Sequence, residues 1–248
     1  MLELDAVSKS FGGLRAVSRV SFRMGTGEIV GLIGPNGAGK TTLFNLITGA
    51  LQPDSGRIVF DGLDVTRYSP DRRCKTGIAR TFQLVRIFPE LTALQNVCVG
   101  RVYGRAGLGV FRPGMLRLAE DEARAMLTQV GLAQQSDTHA KHLTLVDRKR
   151  LELARALATQ PRLLLLDEML AGLNPTEVVA AVALIRRIRD SGISVLVVEH
   201  LVSALFSLAD KVVCMAAGEK IAEDVPRAIA TNPSVIDAYL GDEHEQPA

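Results

Sequence analysis

Gly34-Pro35-Asn36-Gly37-Ala38-Gly39-Lys40-Thr41-Thr42 is the stretch that decides how this chain folds. Before it lies Glu28-Ile29-Val30-Gly31-Leu32-Ile33, an apolar run that predicts a buried strand. After it, Leu43-Phe44-Asn45-Leu46-Ile47 has a helical pattern closed by Gly49. Strand, glycine loop and helix form the context that a phosphate-binding loop requires, and the G-x-x-x-x-G-K-[ST] spacing is complete. Glycines let successive backbone N–H groups converge on an anion, and the helix N-terminus adds the positive end of its dipole. Lys40 is expected against the β- and γ-phosphates of a nucleotide, with the Thr41 hydroxyl offered to Mg²⁺. A glycine turn that merely reverses the chain would explain a lone G-x-G; it does not explain the full run with both flanks.

Composition bounds the rest. At 248 residues the chain is long enough for one large domain, or for one core carrying an inserted subdomain. Its longest unbroken apolar runs, such as residues 178–185, fall well short of the ~18 residues a membrane span needs, so any membrane association is expected to be peripheral. Met1-Leu2-Glu3-Leu4-Asp5 has neither a basic nor an apolar leader region, which points to the cytoplasm. Cys74, Cys98 and Cys214 share no metal-ligand or redox spacing and read as unpaired thiols.

Net charge is only +2, but it is unevenly spread. From Arg67 to Arg117 basic residues outnumber the two acids, Asp71 and Glu90, ten to two, while the tail is acidic through Asp237, Asp242, Glu243 and Glu245. Such a segment is either a solvated basic face or a surface for an anionic partner, lipid headgroups or acidic protein. No helix-turn-helix, RNP-type or zinc-finger pattern supports nucleic acid as that partner.

Taken in order, residues 2–33 and 57–65 alternate apolar and polar over short runs broken by glycine turns, which predicts antiparallel strands. Phe11, just before Gly12-Gly13, is a candidate for stacking on an adenine. Residues 86–160 read as helices in an inserted subdomain, with an amphipathic helix over 120–132, a glycine-rich loop over 104–113 and a second helix over 148–159; residues 1–85 and 161–248 form the core. At the junction, Gln83 could reach a metal or water beside the γ-phosphate. Leu163-Leu164-Leu165-Leu166 predicts a strand buried on both faces, so that Asp167 and Glu168 emerge at the sheet edge where ligands bind. Asp167 is a candidate Mg²⁺ ligand and Glu168 a candidate base for the attacking water. A helix over 176–190, a strand over 193–198 ending in Glu199-His200, a strand over 211–215 and a helix over 234–240 complete an α/β pattern with a mostly parallel sheet. His200, at the end of its strand, could touch the γ-phosphate.

This set, in this order, resembles the ATP-binding subunits of ABC transporters from Leu2 to about Gly241. The resemblance implies a P-loop NTPase (RecA-like) core with an N-terminal antiparallel β subdomain and an inserted α-helical subdomain. It makes Phe11 the adenine-stacking aromatic, residues 34–42 the Walker A loop, Gln83 the Q-loop glutamine, Asp167 and Glu168 the Walker B pair, residues 171–175 the D-loop and His200 the switch histidine. ATP and Mg²⁺ are the implied cofactors. The D-loop Ala171-Gly172-Leu173-Asn174-Pro175, the basic connection after Asn96 and the ending Asn232-Pro233-Ser234-Val235-Ile236-Asp237-Ala238-Tyr239-Leu240-Gly241 are similar to the larger ATPase subunit of bacterial branched-chain amino acid importers. In that family two membrane permeases, a second ATP-binding subunit and an extracytoplasmic solute-binding protein complete the system, with the ATPases peripheral on the cytoplasmic face of the inner membrane. A urea or short-amide importer, a lipopolysaccharide exporter, a soluble ABC protein acting on DNA or ribosomes, and a regulatory module that no longer hydrolyses are the alternatives.

One departure stands out. Where the family has Leu-Ser-Gly-Gly-Gln, this chain has Leu143-Thr144-Leu145-Val146-Asp147. Thr144 keeps the hydroxyl that the signature presents to nucleotide on the opposite subunit, but Leu145 and Val146 add side chains where backbone should approach, and a β-branched valine resists positive φ. A weakened signature, and hence a heterodimer with a partner bearing an intact one, is the expectation.

Overall fold

The computed structural model describes residues 1–83, 85–105 and 115–243. Residues 106–113 of the expected glycine-rich loop, with Arg112, and Glu245 in the tail lie outside them.

The first part of the chain supplies β1 (Leu2–Phe11), β2 (Leu14–Met24), β3 (Ile29–Ile33), α1 (Lys40–Thr48), β4 (Ser55–Phe60), β5 (Leu63–Asp64), α2 (Pro70–Thr76) and β6 (Ile78–Arg80). Helices follow: α3 (Ala93–Tyr103), α4 (Met115–Gln129) and α5 (Leu145–Ala158), with short 3₁₀ turns at Ala133–Gln135 and Ala140–His142. The remainder alternates as β7 (Leu163–Asp167), α6 (Pro175–Asp190), β8 (Ser194–Val198), α7 (Val202–Leu208), β9 (Lys211–Ala216), β10 (Glu219–Asp224), α8 (Pro226–Ile229) and α9 (Pro233–Glu243).

Two sheets result. An antiparallel sheet runs β2-β1-β4-β5, and a six-stranded sheet runs β10-β9-β3-β8-β7-β6, parallel throughout except for β10 at one edge. In β3, β7 and β8 every residue is buried, and the two-residue period of a strand sorts their side chains into two cores. Val30, Leu32, Leu163, Leu165, Leu196 and Val198 face α1 and the antiparallel sheet. Ile29, Ile33, Leu164, Leu166, Val195 and Val197 face the helices on the other side. Each of the leucines of β7 gains roughly 1.5–3 kcal/mol from this burial.

Helix boundaries follow local chemistry. Thr92 and Gln95 form a reciprocal capping box at the start of α3, and Asn174 and Glu177 do the same for α6 with Pro175 as its first residue. α4 begins before residue 120 and stops at Gln129, just short of Gly131 at φ 80°. α5 starts three residues earlier than residue 148, because Thr144 caps it by accepting from the Asp147 N–H.

The basic run is not one solvated face. Arg73 is fully buried, donating to the carbonyls of Leu46, Ile47, Thr66 and Tyr68, so it satisfies the last turn of α1; burial pushes its pKa down to about 10. Arg101 is buried against Glu122, and Arg80 is enclosed as well. Three cations that a charge count assigns to the surface therefore serve the interior.

Candidate nucleotide site

Strand order brings four carboxyl ends side by side. β3 leads into the loop of residues 34–39, β6 into Thr81-Phe82-Gln83, β7 into Glu168 and β8 into Glu199-His200. This is the edge where parallel sheets bind ligands. Gly39, at φ 97°, caps α1, and a Cβ there would lie 2.3 Å from the Ala16 carbonyl oxygen, so only glycine lets the loop pass under β2. Lys40 turns back into the loop, its Nζ donating to the carbonyls of Gly34 at 2.6 Å and Pro35 at 2.7 Å.

Glu168 is the focus of the site. Its backbone is held at φ 51°, a conformation uncommon for residues other than glycine, with its N–H bonded to the Val198 carbonyl. Gln83 Nε2 donates to Oε2 at 2.9 Å, and His200 Nε2 lies 2.9 Å from Oε1. An ionised carboxylate only accepts, so His200 presents Nε2–H to it. The loop that carries Gln83 hangs from α5, where the buried Glu152 accepts from the N–H groups of Phe82 and Arg86.

Asp167 is buried at 5% exposure and pairs with Arg80, Nη2 to Oδ2 2.6 Å. Arg80 also donates to Asn45 Oδ1 at 2.5 Å and lies against the rings of Phe44 and Phe82. Behind Glu168 the backbone of residues 168–171 is gripped from two sides. Lys149 Nζ donates to the carbonyls of Glu168, Met169 and Ala171, and Glu199 Oε1 accepts from the Leu170 N–H at 2.7 Å. Burial pushes the Glu199 pKa up to about 7 and Lys149 below its ordinary value.

Phe11, Asn36, Gly37, Ala38, Gly39, Lys40, Thr41, Thr42, Gln83, Glu168 and His200 share one cavity of about 580 Å³, within the size of small-molecule clefts. Phe11, 46% exposed, forms its rim beside Leu14 and Arg15. Gly34 and Pro35 lie just behind the lining. Asp167 opens instead, with Thr41 and Gln83, onto an adjoining cavity of about 750 Å³. Thr144 stands apart on the exposed cap of α5, its Oγ1 donating to Asp147 Oδ2 at 2.9 Å. Neither Leu145 nor Val146 has positive φ, so the backbone objection to a valine in the signature does not hold; what distinguishes this signature is the bulk of Leu145, 59% exposed at the helix start.

Arg80, Asn45, Lys149 and Glu199 support the site without belonging to any motif in the sequence. Only the position of Arg80, three residues before Gln83, and of Glu199, beside His200, offered any signal.

The fold and this cavity define a nucleotide-binding cassette. The model of the ABC transporter family matches residues 17–171, and the chain belongs to that family. A second model, described as branched-chain amino acid ATP-binding cassette transporter, matches residues 219–245. The chain is 38% identical to the high-affinity branched-chain amino acid transport ATP-binding protein BraF of Pseudomonas aeruginosa, and 36% identical to LivG of Escherichia coli, each over 98% of both chains. Among solved structures it is similar to a nucleotide-free ATP-binding cassette from an ABC transporter, at TM-score 0.86 and 29% identity over 96% of this chain and 98% of that one. The ADP conformation of the cassette MJ1267 superposes at TM-score 0.85 with 29% identity, covering 97% and 98%.

Proposed function

We propose that this chain is the ATP-hydrolysing, energy-coupling subunit of an importer for branched-chain amino acids. The observation that carries the reading is the convergence of Gln83 and His200 on the two oxygens of Glu168, across one cavity from the Lys40 loop. In this arrangement Lys40 and the loop N–H groups hold phosphates, Phe11 meets the base, Glu168 takes the proton of the attacking water, His200 orients Glu168 and the γ-phosphate, and Gln83 reports on both. The ending shared with the branched-chain amino acid relatives favours their solute over urea, short amides or lipopolysaccharide.

Mg²⁺ fits the donor set. Among the described residues no group of three or more His, Cys, Asp or Glu gathers to hold a metal, but Mg²⁺ is usually bound through only one or two carboxylates beside phosphates and water. Thr41, Gln83 and Asp167 are the residues that would hold it, Asp167 through water or the oxygen that Arg80 leaves open. When bound it neutralises charge on the β- and γ-phosphates.

Among the described residues no helix is long and apolar enough to cross a membrane. The wall of the second cavity, with Phe88 and Tyr103 exposed between α1 and α3, suits a helix of a permease, and residues 86–160 act as a helical subdomain that moves against the core of residues 1–85 and 161–248. Two permeases, a second ATP-binding subunit with an intact signature and an extracytoplasmic solute-binding protein complete the assembly at the cytoplasmic face of the bacterial inner membrane. No nucleic acid takes part.

Reconstitution with both permeases and the second ATPase in vesicles tests this. Leucine, isoleucine or valine uptake driven by ATP is expected, with Glu168→Gln abolishing hydrolysis while ATP still binds and His200→Ala lowering kcat by about 10²-fold or more. Turnover near wild type in Glu168→Gln would remove Glu168 from its role, and uptake of another solute in preference would overturn the substrate assignment.

A further inference from the structure

Among the described residues none of α9 lines the nucleotide cavity, yet one of its side chains reaches the start of the phosphate-binding loop. Asn232 Oδ1 accepts from the N–H groups of Ser234 at 3.0 Å and Val235 at 3.4 Å, and Pro233 opens the helix, so the chemistry of Asn-Pro-Ser-Val fixes where α9 begins. Val235 is buried at 6% exposure, and Tyr239, one turn further on the same face, packs its ring against the same core. At the far end of that ring, the Tyr239 hydroxyl oxygen accepts a hydrogen bond from the Gly34 N–H at 2.9 Å.

Gly34 is a constrained position. It is buried, its φ is 149°, and a Cβ there would lie 2.1 Å from the Met215 carbonyl oxygen, so β9 presses on it directly. Its carbonyl accepts from Lys40 Nζ and its N–H is matched by Tyr239, so one residue links the phosphate-binding lysine to α9. Were Lys40 to turn from the Gly34 carbonyl to the phosphates of a bound nucleotide, the bond to Tyr239 would be the tether that keeps the loop entry in place. A buried N–H stripped of its acceptor is costly, so the loop would shift to find another.

We propose that Tyr239 is a positioning residue for the phosphate-binding loop, making nucleotide affinity depend on the docking of α9. The proposal rests on the nucleotide reading of the cavity. It gives the C-terminal segment a task inside this subunit, 205 residues away in sequence.

Tyr239→Phe in the full chain is the test, since the ring stays and only the hydroxyl goes. The dissociation constant for MgATP is expected to rise about 2- to 10-fold: one lost hydrogen bond is worth roughly 2- to 13-fold, and only the part of it that strengthens when nucleotide binds enters the affinity. Saturated kcat in the assembled complex should stay within about twofold, and amide hydrogen exchange at Gly34 should accelerate. Unchanged ATP affinity would overturn the proposal whatever happens at Gly34, since faster exchange alone would show only that the bond holds the loop locally. Lys40→Ala serves as the control: if it binds ATP as wild type does, the nucleotide reading itself falls and takes the proposal with it, an outcome distinct from a silent Tyr239→Phe.

Discussion

Arg80 Nη2 stands 2.6 Å from Asp167 Oδ2, so the buried carboxylate at the end of β7 is matched by a cation from the neighbouring strand. With 9% and 5% of their side chains exposed, the two charges are shielded from water on all sides but the cavity. Such a pair is weak evidence for net stability, because removing both charges costs little, but removing one leaves the other buried alone. Arg80→Met is therefore expected to destabilise the subunit by about 3–5 kcal/mol, lowering Tm by on the order of 10 °C. The double variant Arg80→Met, Asp167→Asn should recover most of that loss. Thermal unfolding of wild type, Arg80→Met, Asp167→Asn and the double variant checks the coupling, and additive effects of the two substitutions would show that the pair does not act as a unit.

Glu199 gives the fold a pH dependence of predictable sign. Burial raises its pKa to about 7 in the folded chain from an ordinary 4.5, only partly opposed by the Leu170 N–H and by Lys149. Below pH 4.5 the group is protonated folded or unfolded and contributes no difference. Between 4.5 and 7 the unfolded chain has released the proton and the folded chain still holds it, so this group's contribution falls as pH rises through that window, then levels off. At about 1.4 kcal/mol per pH unit the total is on the order of 3 kcal/mol. Glu199→Gln keeps an acceptor for the Leu170 N–H and has no charge to desolvate. Its denaturant stability should change less between pH 5 and 8 than that of wild type, by roughly that amount; parallel pH profiles would remove Glu199 as the source.

Much of this architecture is legible because its signals are local. The leucines of residues 163–166 read as a doubly buried strand, and the structure divides them alternately between two cores. The glycine loop reads as a phosphate cradle because strand, spacing and helix lie within twenty residues. Gln83, Glu168 and His200 were each weak alone, and their meeting depends on β7 lying between β6 and β8, an order that no single segment encodes. Arg73 and Arg80 were counted with a basic surface because charge counting cannot see that one closes the end of α1 and the other pairs with Asp167. Tyr239 looked like one letter of a terminal motif, since its partner is a backbone N–H contributed by the far end of the chain. α5 begins before its apolar face does because the start is set by a cap, Thr144 accepting from the Asp147 N–H, which apolar spacing does not register.

Lys149 links α5 to the segment that bears Glu168. Its ammonium donates to the carbonyls of Glu168, Met169 and Ala171, a stretch that starts from the positive φ of Glu168. α5 is also the helix that Thr144 caps, so one rigid element joins Thr144 to the backbone after Glu168 through this side chain. Lys149→Met should lower kcat by about 10-fold or more while leaving the dissociation constant for ATP within about twofold, since misplacing a base harms the chemical step rather than binding. Lys149→Arg, which retains the donors, should restore most of the rate. Equal losses in both variants, or a loss of ATP affinity instead of rate, would contradict a positioning role.

Residues 143–147 yield the sharpest test of the asymmetry proposed between two nucleotide sites. Leu145 and Val146 occupy the first turn of α5 in ordinary helical backbone, so glycine at both positions is tolerated conformationally and costs at most about 1 kcal/mol apiece in helix propensity. Replacing them uncovers the backbone N–H groups of that turn, which carry the positive end of the helix dipole and suit an anion. Under the proposed function, Glu168→Gln would stop the site built on Lys40 in the mixed complex, while the opposite site would depend on residues 143–147 of this chain. Adding Leu145→Gly and Val146→Gly to Glu168→Gln should therefore return measurable ATP turnover, now from the partner's Walker A site. Phosphate release from the purified complex decides it. If turnover stays at the Glu168→Gln level, bulk at Leu145 is not what limits the second site; if Glu168→Gln alone already turns over at half the wild-type rate, both sites work as they stand and the inferred asymmetry is absent.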